Sequence, residues 1–125
     1  MAYSETIKFV TGDTRPIITV TIKDSNTAAA GKTLDPDDPT TWALLDLSTA
    51  TACKLLIRKA GSKTFTTLTG NPLDPADGKY TFTPIASTFS SAGVYEGEIE
   101  IEYNSGTSVH SLYDLIKFQV REDFN

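Results

Sequence analysis

Strict alternation of apolar and polar residues constrains this chain more than any other feature of its sequence. In residues 18–23, isoleucine or valine occupies every second position, and threonine or lysine fills the positions between them. Successive side chains of a β-strand point to opposite faces, so this pattern predicts a strand with one buried and one hydrated face. The same alternation recurs in residues 94–103, where four glutamates alternate with mainly apolar residues. We therefore expect an all-β protein.

Seven segments combine period-two patterns with turn-forming residues at their ends. They comprise residues 5–10, 16–23, 51–59, 64–69, 78–83, 94–103 and 108–121. Seven short strands in a chain of 125 residues are typical of a β-sandwich, and no ten-residue stretch has a convincing amphipathic helical pattern. Residues 71–78 predict a hairpin turn, and residues 84–93 predict a connection with one helical turn that crosses an end of the sandwich.

Alternation also predicts which side chains face the core. The inward set comprises Ile18, Val20, Ile22, Cys53, Leu55, Ile57, Tyr80, Phe82, Tyr95, Ile99, Ile101, Tyr103, Ile116, Phe118 and Val120. Lys117, Gln119 and Arg121 fall on the opposite face, where we expect the cations to pair across strands with the glutamates. The length suits one domain spanning residues 1–125, because a second independent core would not fit.

Charge and hydropathy narrow the range of partners. The net charge is −5, from 16 acidic and 11 basic residues, and no cluster of Lys or Arg could neutralise successive phosphates. Nucleic-acid binding is therefore not expected. No stretch approaches the roughly 18 consecutive apolar residues of a membrane span, and the amino terminus lacks the pattern of a signal peptide. We expect a protein made in a cytoplasm, without membrane insertion.

The residues that usually carry catalysis are scarce. His110 is the only histidine, and a single histidine within a predicted strand is a poor start for a hydrolase triad. Cys53 is the only cysteine, and one Cys and one His at unrelated positions cannot form a zinc site. Cys53 belongs to the inward set, which indicates a small buried hydrophobic residue. The neighbours of His110 indicate a surface or strand-edge position. We therefore expect no enzyme, and we predict no catalytic residue, cofactor or metal ligand.

Two groups of carboxylates need a separate interpretation. Asp35, Asp37 and Asp38 offer hard oxygen ligands for Ca²⁺, but prolines interrupt them and their spacing does not match an EF-hand loop. A turn is the favoured interpretation, because Asp and Pro both form turns. The four glutamates of residues 94–103 share one predicted face and one environment. They therefore differ from the paired carboxylates of glycosidases, whose environments push their pKa values apart.

Residues 24–44 are the outlier, because they predict a loop of about twenty residues. Long structureless loops are uncommon in compact domains and are often functional or disordered. Trp42, the only tryptophan, has two interpretations there: a lid over the open end of the core, or an exposed anchor for a partner. Trp42 and the nearby Leu44 are the predicted partner-binding residues.

Four segments, taken in order, resemble the N-terminal domain of the baseplate upper protein family of tailed bacteriophages. They are Gly-Asp-Thr-Arg-Pro at 12–16 with the strand that follows, Leu-Asp-Leu-Ser-Thr-Ala-Thr at 45–51, Asp-Gly-Lys-Tyr-Thr-Phe at 77–82, and Ala-Gly-Val-Tyr-Glu-Gly-Glu at 92–98. In the second segment, Ser48 and Thr49 replace Thr and Gly of the family's Asp-Leu-Thr-Gly-Ala step. The resemblance covers roughly residues 9–120, and the segment 24–44 departs from the shorter connection expected in the family.

The resemblance implies an immunoglobulin-like antiparallel β-sandwich that attaches receptor-binding or fibre components to a phage tail. The leading expectation is therefore a non-enzymatic structural protein of the virion, whose partners are other tail or baseplate proteins or further copies of itself. The alternative is a carbohydrate- or cell-surface-binding module on the same sandwich, with Trp42, Tyr80 or Tyr95 stacking on sugar. Alternation places Tyr80 and Tyr95 inward, which weakens this alternative.

Overall fold

The computed structural model describes residues 6–111 and 115–124, which form an all-β structure. Its strands are β1 (Ile7–Val10), β2 (Ile18–Thr21), β3 (Lys23–Ala28), β4 (Trp42–Leu44), β5 (Ala52–Lys59), β6 (Thr66–Thr69), β7 (Asn71–Asp74), β8 (Lys79–Phe82), β9 (Gly93–Tyr103), β10 (Ser108–Ser111) and β11 (Ile116–Arg121). Short 3-10 turns occupy Pro39–Thr41, Pro75–Asp77 and Asn104–Gly106. Within the described residues, no helix has the length and apolar character needed to cross a bilayer.

The strands form two main sheets that enclose the core. The larger sheet has the order β1-β11-β9-β5-β6, with β10 also paired to β9, and the smaller has the order β2-β8-β7. Inward residues of both sheets belong to one buried cluster, so the predicted sandwich is confirmed. The described strand pairs are antiparallel except for β1 and β11, which run parallel.

The inward set predicted from alternation is confirmed almost completely. All of its members are buried except Tyr103, which is partly buried against the core. Phe9 and Phe89 join them, and the Phe89 ring lies 4.8 Å from the Phe9 ring centroid and 5.3 Å from that of Phe118. Phe89 meets Tyr95 edge to face at 5.2 Å. This aromatic cluster fills one end of the core.

Residues 24–44 are not the single loop that the sequence predicts. β3 and β4 pair within this stretch as a separate two-stranded sheet, with an irregular register between Asp24 and Ala28. None of the six residues of β3 is fully buried. Because backbone pairing here does not come with a buried face, the period-two pattern that reveals a strand is missing.

Two further strand predictions need correction. β7 lies inside the predicted turn 71–78, and its Pro72 is tolerated because β7 is an edge strand. The predicted strand 108–121 comprises β10 and β11, which both pair with β9, and its residues 112–114 lie outside the described residues.

The predicted connection 84–93 contains a hydrogen-bonded turn, in which the Thr88 N–H donates to the Ile85 carbonyl at 2.9 Å. It contains no assigned helix.

Glycine is required at Gly78, where the chain closes the end of the sandwich. Gly78 is buried and has a φ of 72°, and its carbonyl accepts a hydrogen bond from the Ile22 N–H at 2.7 Å. Leu45 in turn donates its N–H to the Ile22 carbonyl at 3.0 Å. A Cβ at Gly78 would lie 2.5 Å from the Ile22 carbonyl oxygen and 2.8 Å from that of Leu45. Both the dihedral angle and the available space therefore exclude a side chain.

A pair of glycine substitutions separates these two causes. Gly12 has a similar φ of 76°, but a Cβ there would meet nothing within 4 Å. We expect Gly12→Ala to lower the free energy of unfolding by about 1–2 kcal/mol, from the left-handed backbone alone. Gly78→Ala should lower it by about 2–5 kcal/mol, because overpacking against backbone adds to that strain. Urea unfolding of both variants measures the difference, and equal losses would contradict the close-packing explanation.

Candidate functional site

Trp42, one of the two predicted partner-binding residues, lies inside the segment 24–44. Its side chain is 2% exposed, and its indole N–H donates to the Asp35 carbonyl at 3.0 Å. Leu44, two residues later in β4, is 47% exposed. The exposed-anchor interpretation therefore does not fit Trp42 in the free chain. The structure does not bring the two side chains together on one surface, and partner binding by either stays a prediction.

The acidic stretch before Trp42 is a hydrogen-bonded turn. The Asp38 N–H donates to the Asp35 carbonyl at 3.0 Å, and the Asp37 N–H donates to Asp35 Oδ1 at 3.0 Å. Asp38 caps the following 3-10 turn, where its Oδ1 accepts from Thr40 Oγ1 at 2.7 Å and from the Thr40 N–H at 3.0 Å. These bonds from Thr40 lower the pKa of Asp38. The turn interpretation is confirmed, and the described residues contain no group of three or more His, Cys, Asp or Glu side chains that could hold a metal ion.

The glutamate row of β9 lies on the outer face of the larger sheet, where cations of neighbouring strands pair with it. Glu96 lies 3.4 Å from Arg58 and 3.8 Å from Lys117, which confirms the predicted pairing for Lys117. Glu102 lies 2.7 Å from Lys54, and this hydrogen bond raises the pKa of Lys54. Partners from β5 were not predicted, although the alternation of β5 places two of its three cations, Lys54 and Arg58, outward. This face is an ion-paired sheet surface.

The edge of the larger sheet at β1 is a surface that the sequence did not reveal. Within the described residues, β1 pairs only with β11. The Thr11 N–H donates to the Arg121 carbonyl at 3.0 Å, and strand geometry then directs the N–H groups of Lys8 and Val10 to the open side. Beside this edge lies a cleft of about 390 Å³, lined by Lys8, Phe9, Val10, Asp13, Pro16, Gln119 and Arg121. We call it the edge cleft.

An exposed apolar side chain follows the edge cleft in the chain. Ile17, directly after Pro16, is 58% exposed, whereas Ile18 is buried. The doublet Ile17–Ile18 was the available sequence signal, because only one of two successive strand residues can face the core. An open strand edge with an adjacent cleft and exposed apolar surface can accept an added strand, which would gain backbone hydrogen bonds and a place for side chains.

His110 and Cys53 lie where the sequence places them. His110 is exposed in β10, as predicted. Cys53 is buried, and burial raises the pKa of its thiol to about 12. A thiol in that state is a poor nucleophile, because the reactive form is the thiolate.

The burial of Trp42 can be tested by fluorescence, since it is the only tryptophan in the chain. We expect blue-shifted emission that acrylamide quenches weakly. Trp42→Ala should lower the free energy of unfolding by about 3–5 kcal/mol through the cavity it leaves, and Trp42→Phe by about 1–2 kcal/mol through the lost hydrogen bond. Leu44→Ala is the control, and its exposed side chain should change stability by less than about 0.5 kcal/mol. Water-like emission from the native chain would contradict this placement.

The thiol of Cys53 offers a second test. In native buffer at mildly alkaline pH, we expect a disulfide reagent such as 5,5′-dithiobis(2-nitrobenzoate) to modify the chain only as fast as the core opens. In concentrated guanidinium chloride, the exposed thiol should react at the ordinary rate of a free cysteine. Absorbance of the released thionitrobenzoate follows both reactions. Rapid native modification would contradict the burial of this thiol.

The described residues thus present an ion-paired sheet face, an open edge with a cleft, and the segment 24–44, which buries its tryptophan. The chain matches no protein-family model, and no curated protein matches it either. Its function therefore has to be argued from these surfaces and from the ordered sequence motifs.

Proposed function

We propose that this chain is a non-enzymatic structural module of a tailed-phage virion, in the tail, baseplate or fibre, and that it attaches subunits to one another. The ordered motifs at residues 12–16, 45–51, 77–82 and 92–98 support this assignment through their resemblance to the baseplate upper protein family. The partners are other tail or baseplate proteins, or further copies of the same chain.

The strand order supports the immunoglobulin-like part of the proposal. In immunoglobulin variable domains, one sheet contains the strands C′-C-F-G, and the strands B, E and D belong to the other. Chain order assigns β6, β5, β9 and β11 to the first set and β2, β8 and β7 to the second. Tyr95, near the start of β9, donates its hydroxyl to the Ser91 carbonyl at 2.7 Å. This bond has the form of the tyrosine corner of such sandwiches.

The open edge of β1 is the observation on which the attachment mechanism rests. An incoming strand would accept hydrogen bonds from the N–H groups of Lys8 and Val10, which point away from β11, while the Val10 carbonyl already accepts from the Asp13 N–H at 3.2 Å. One of its side chains would enter the edge cleft beside Pro16, while Ile17 supplies exposed apolar contact. Leu44 of β4 is a second exposed contact, whereas Trp42 would require the segment 24–44 to open before it could contact a partner.

The carbohydrate-binding alternative loses its proposed residues. Trp42 is 2% exposed, and Tyr80 and Tyr95 are each 5% exposed, so none of the three rings presents a face on which a sugar could stack. Strand addition is therefore the function that the geometry supports best.

The test uses a phage whose genome encodes this chain. We expect the protein to be detected in purified particles by mass spectrometry and on the tail by immunogold electron microscopy. Lys8→Pro removes an N–H on the open side without removing a bond to β11, so it should block incorporation while the chain stays folded. Lys8→Ala is the matched control: it removes the same side chain, keeps the N–H and should incorporate normally.

Two outcomes would contradict the proposal. Absence of the protein from purified particles would rule out a virion function. Normal incorporation of a folded Lys8→Pro variant would rule out strand addition at β1 while leaving the virion function in place. Circular dichroism and thermal unfolding of each variant establish that it is folded.

A further inference from the structure

A second concave site lies at the end of the sandwich where β5 ends and β9 begins. It has a volume of about 260 Å³ and lies between residues 62–66 and residues 87–91. Eight of its twelve lining residues carry a hydroxyl group, two are cations, and none is acidic. We call it the hydroxyl pocket. The cations are Arg58 and Lys59, and the remaining two lining residues are Ile57 and Phe65.

Hydrogen bonds hold one wall of the hydroxyl pocket in place. The buried Tyr95 donates its hydroxyl to the Ser91 carbonyl at 2.7 Å, and the Ser91 hydroxyl lies 3.2 Å from the same phenol oxygen. Lys59 Nζ donates to Ser91 Oγ at 3.2 Å. On the opposite wall, the Thr64 N–H donates to Ser62 Oγ at 3.2 Å. Lys59, Ser62 and Ser91 are thus positioned before any ligand binds, which lowers the entropic cost of binding at these groups.

The charge of Lys59 distinguishes this pocket from the rest of the outer surface. The other two cations of β5, Lys54 and Arg58, lie 2.7 Å from Glu102 and 3.4 Å from Glu96. Among the described residues, Lys59 forms no such ion pair, and its ammonium group donates a hydrogen bond to the Ser91 hydroxyl. Because Arg58 is already paired with Glu96, Lys59 is the cation of this pocket that a ligand can engage, and no acidic residue lines the pocket, which favours an anionic ligand.

Phe65 and the hydroxyl groups point to the rest of the ligand. The Phe65 side chain lines the pocket and is 55% exposed, so it offers an apolar ring face at the rim. Ser87 and Ser90 are exposed residues of the same pocket. Hydroxyl groups both donate and accept hydrogen bonds, which matches the hydroxyls of a sugar. The C–H face of a sugar ring is apolar and packs on an aromatic ring.

We propose that the hydroxyl pocket binds an acidic sugar unit: a carboxylated, sulfated or phosphorylated saccharide. The anionic group lies at Lys59, the sugar ring packs on Phe65, and sugar hydroxyls bond to Ser87 and Ser90. A bare anion would make no use of Phe65, and a neutral sugar would make no use of the charge of Lys59. The volume is slightly below the roughly 300–1,000 Å³ of pockets for drug-sized ligands, which suits one sugar unit of a longer glycan.

This site is separate from the proposed attachment edge. None of the residues that line the hydroxyl pocket lines the edge cleft. Of the three aromatic residues that the sequence suggested for sugar stacking, only Tyr95 lines the hydroxyl pocket. Its ring is buried, and its hydroxyl positions Ser91. Binding here therefore stands or fails independently of the virion function.

The experiment is titration of the purified chain with a glycan panel, followed by NMR of its backbone amides. The panel contains oligosaccharides bearing glucuronate, galacturonate, sialate, sulfate or phosphate, with chitotetraose as the neutral probe and sodium sulfate as the bare anion. We expect an acidic oligosaccharide to shift amides of residues 58–66 and 87–95, and to bind more weakly as salt is raised.

Three variants locate the ligand. Lys59→Gln should weaken binding about tenfold or more, since a charge-assisted bond is lost. Phe65→Ala should weaken it about threefold to tenfold through the lost ring contact. Lys63→Gln is the matched control, because Lys63 is a lysine of the same turn that does not line the pocket, and it should leave affinity within about twofold.

Each other outcome overturns the proposal. Failure of every acidic glycan to bind excludes the site. Equal affinity for sodium sulfate and the acidic glycans, with no effect of Phe65→Ala, reduces it to an anion site without sugar recognition. Equal losses in Lys63→Gln and Lys59→Gln mean that general charge attraction, not this pocket, causes the binding.

Discussion

The pairing of β9 with its neighbours is the interaction on which the rest of the structure depends. β9 pairs with β5 along eight residues and with both β10 and β11 on its other side. It therefore connects the β5–β6 half of the larger sheet to the half that contains β1, β10 and β11. Its inward residues bring the aromatic cluster and the aliphatic core into contact. Gly97 is one of these inward positions, and glycine suits it because a Cβ there would lie 2.9 Å from Leu55 Cδ1 and 3.0 Å from Phe118 Cε2. Side chains of β5 and β11 thus fill the space above this glycine.

The two ends of the sandwich differ in construction because the connections at each end bury different groups. At one end, the Ile22 N–H donates to the Gly78 carbonyl and the Leu45 N–H donates to the Ile22 carbonyl. These bonds hold the two ends of the segment 24–44 together, and the segment buries its own tryptophan. At the other end, Tyr95 fixes the connection before β9, and the exposed groups there include hydroxyls, cations and the Phe65 ring. The proposed attachment edge at β1 lies along the side of the sandwich. These surfaces can therefore act without competing for the same residues.

Much of the fold could be predicted because burial leaves a period-two pattern in each core strand. The inward residues of β2, β5, β8, β9 and β11 are recognisable for that reason. β3 and β7 could not be predicted, because their pairing depends on backbone hydrogen bonds at positions without a buried face. The edge cleft and the hydroxyl pocket were also missed, since their residues come from segments far apart in the chain.

The sequence by itself determined the all-β class, the orientation of the core side chains, the burial of Cys53 and the Asp-Pro turn, because each depends on local alternation or local turn chemistry. Only the tertiary structure decided that Trp42 is buried, that β1 runs parallel to β11 as an open edge, and that Lys59 lies beside Ser91 without a carboxylate partner among the described residues. Those properties depend on which strands become neighbours, and alternation along a strand carries no information about its neighbours.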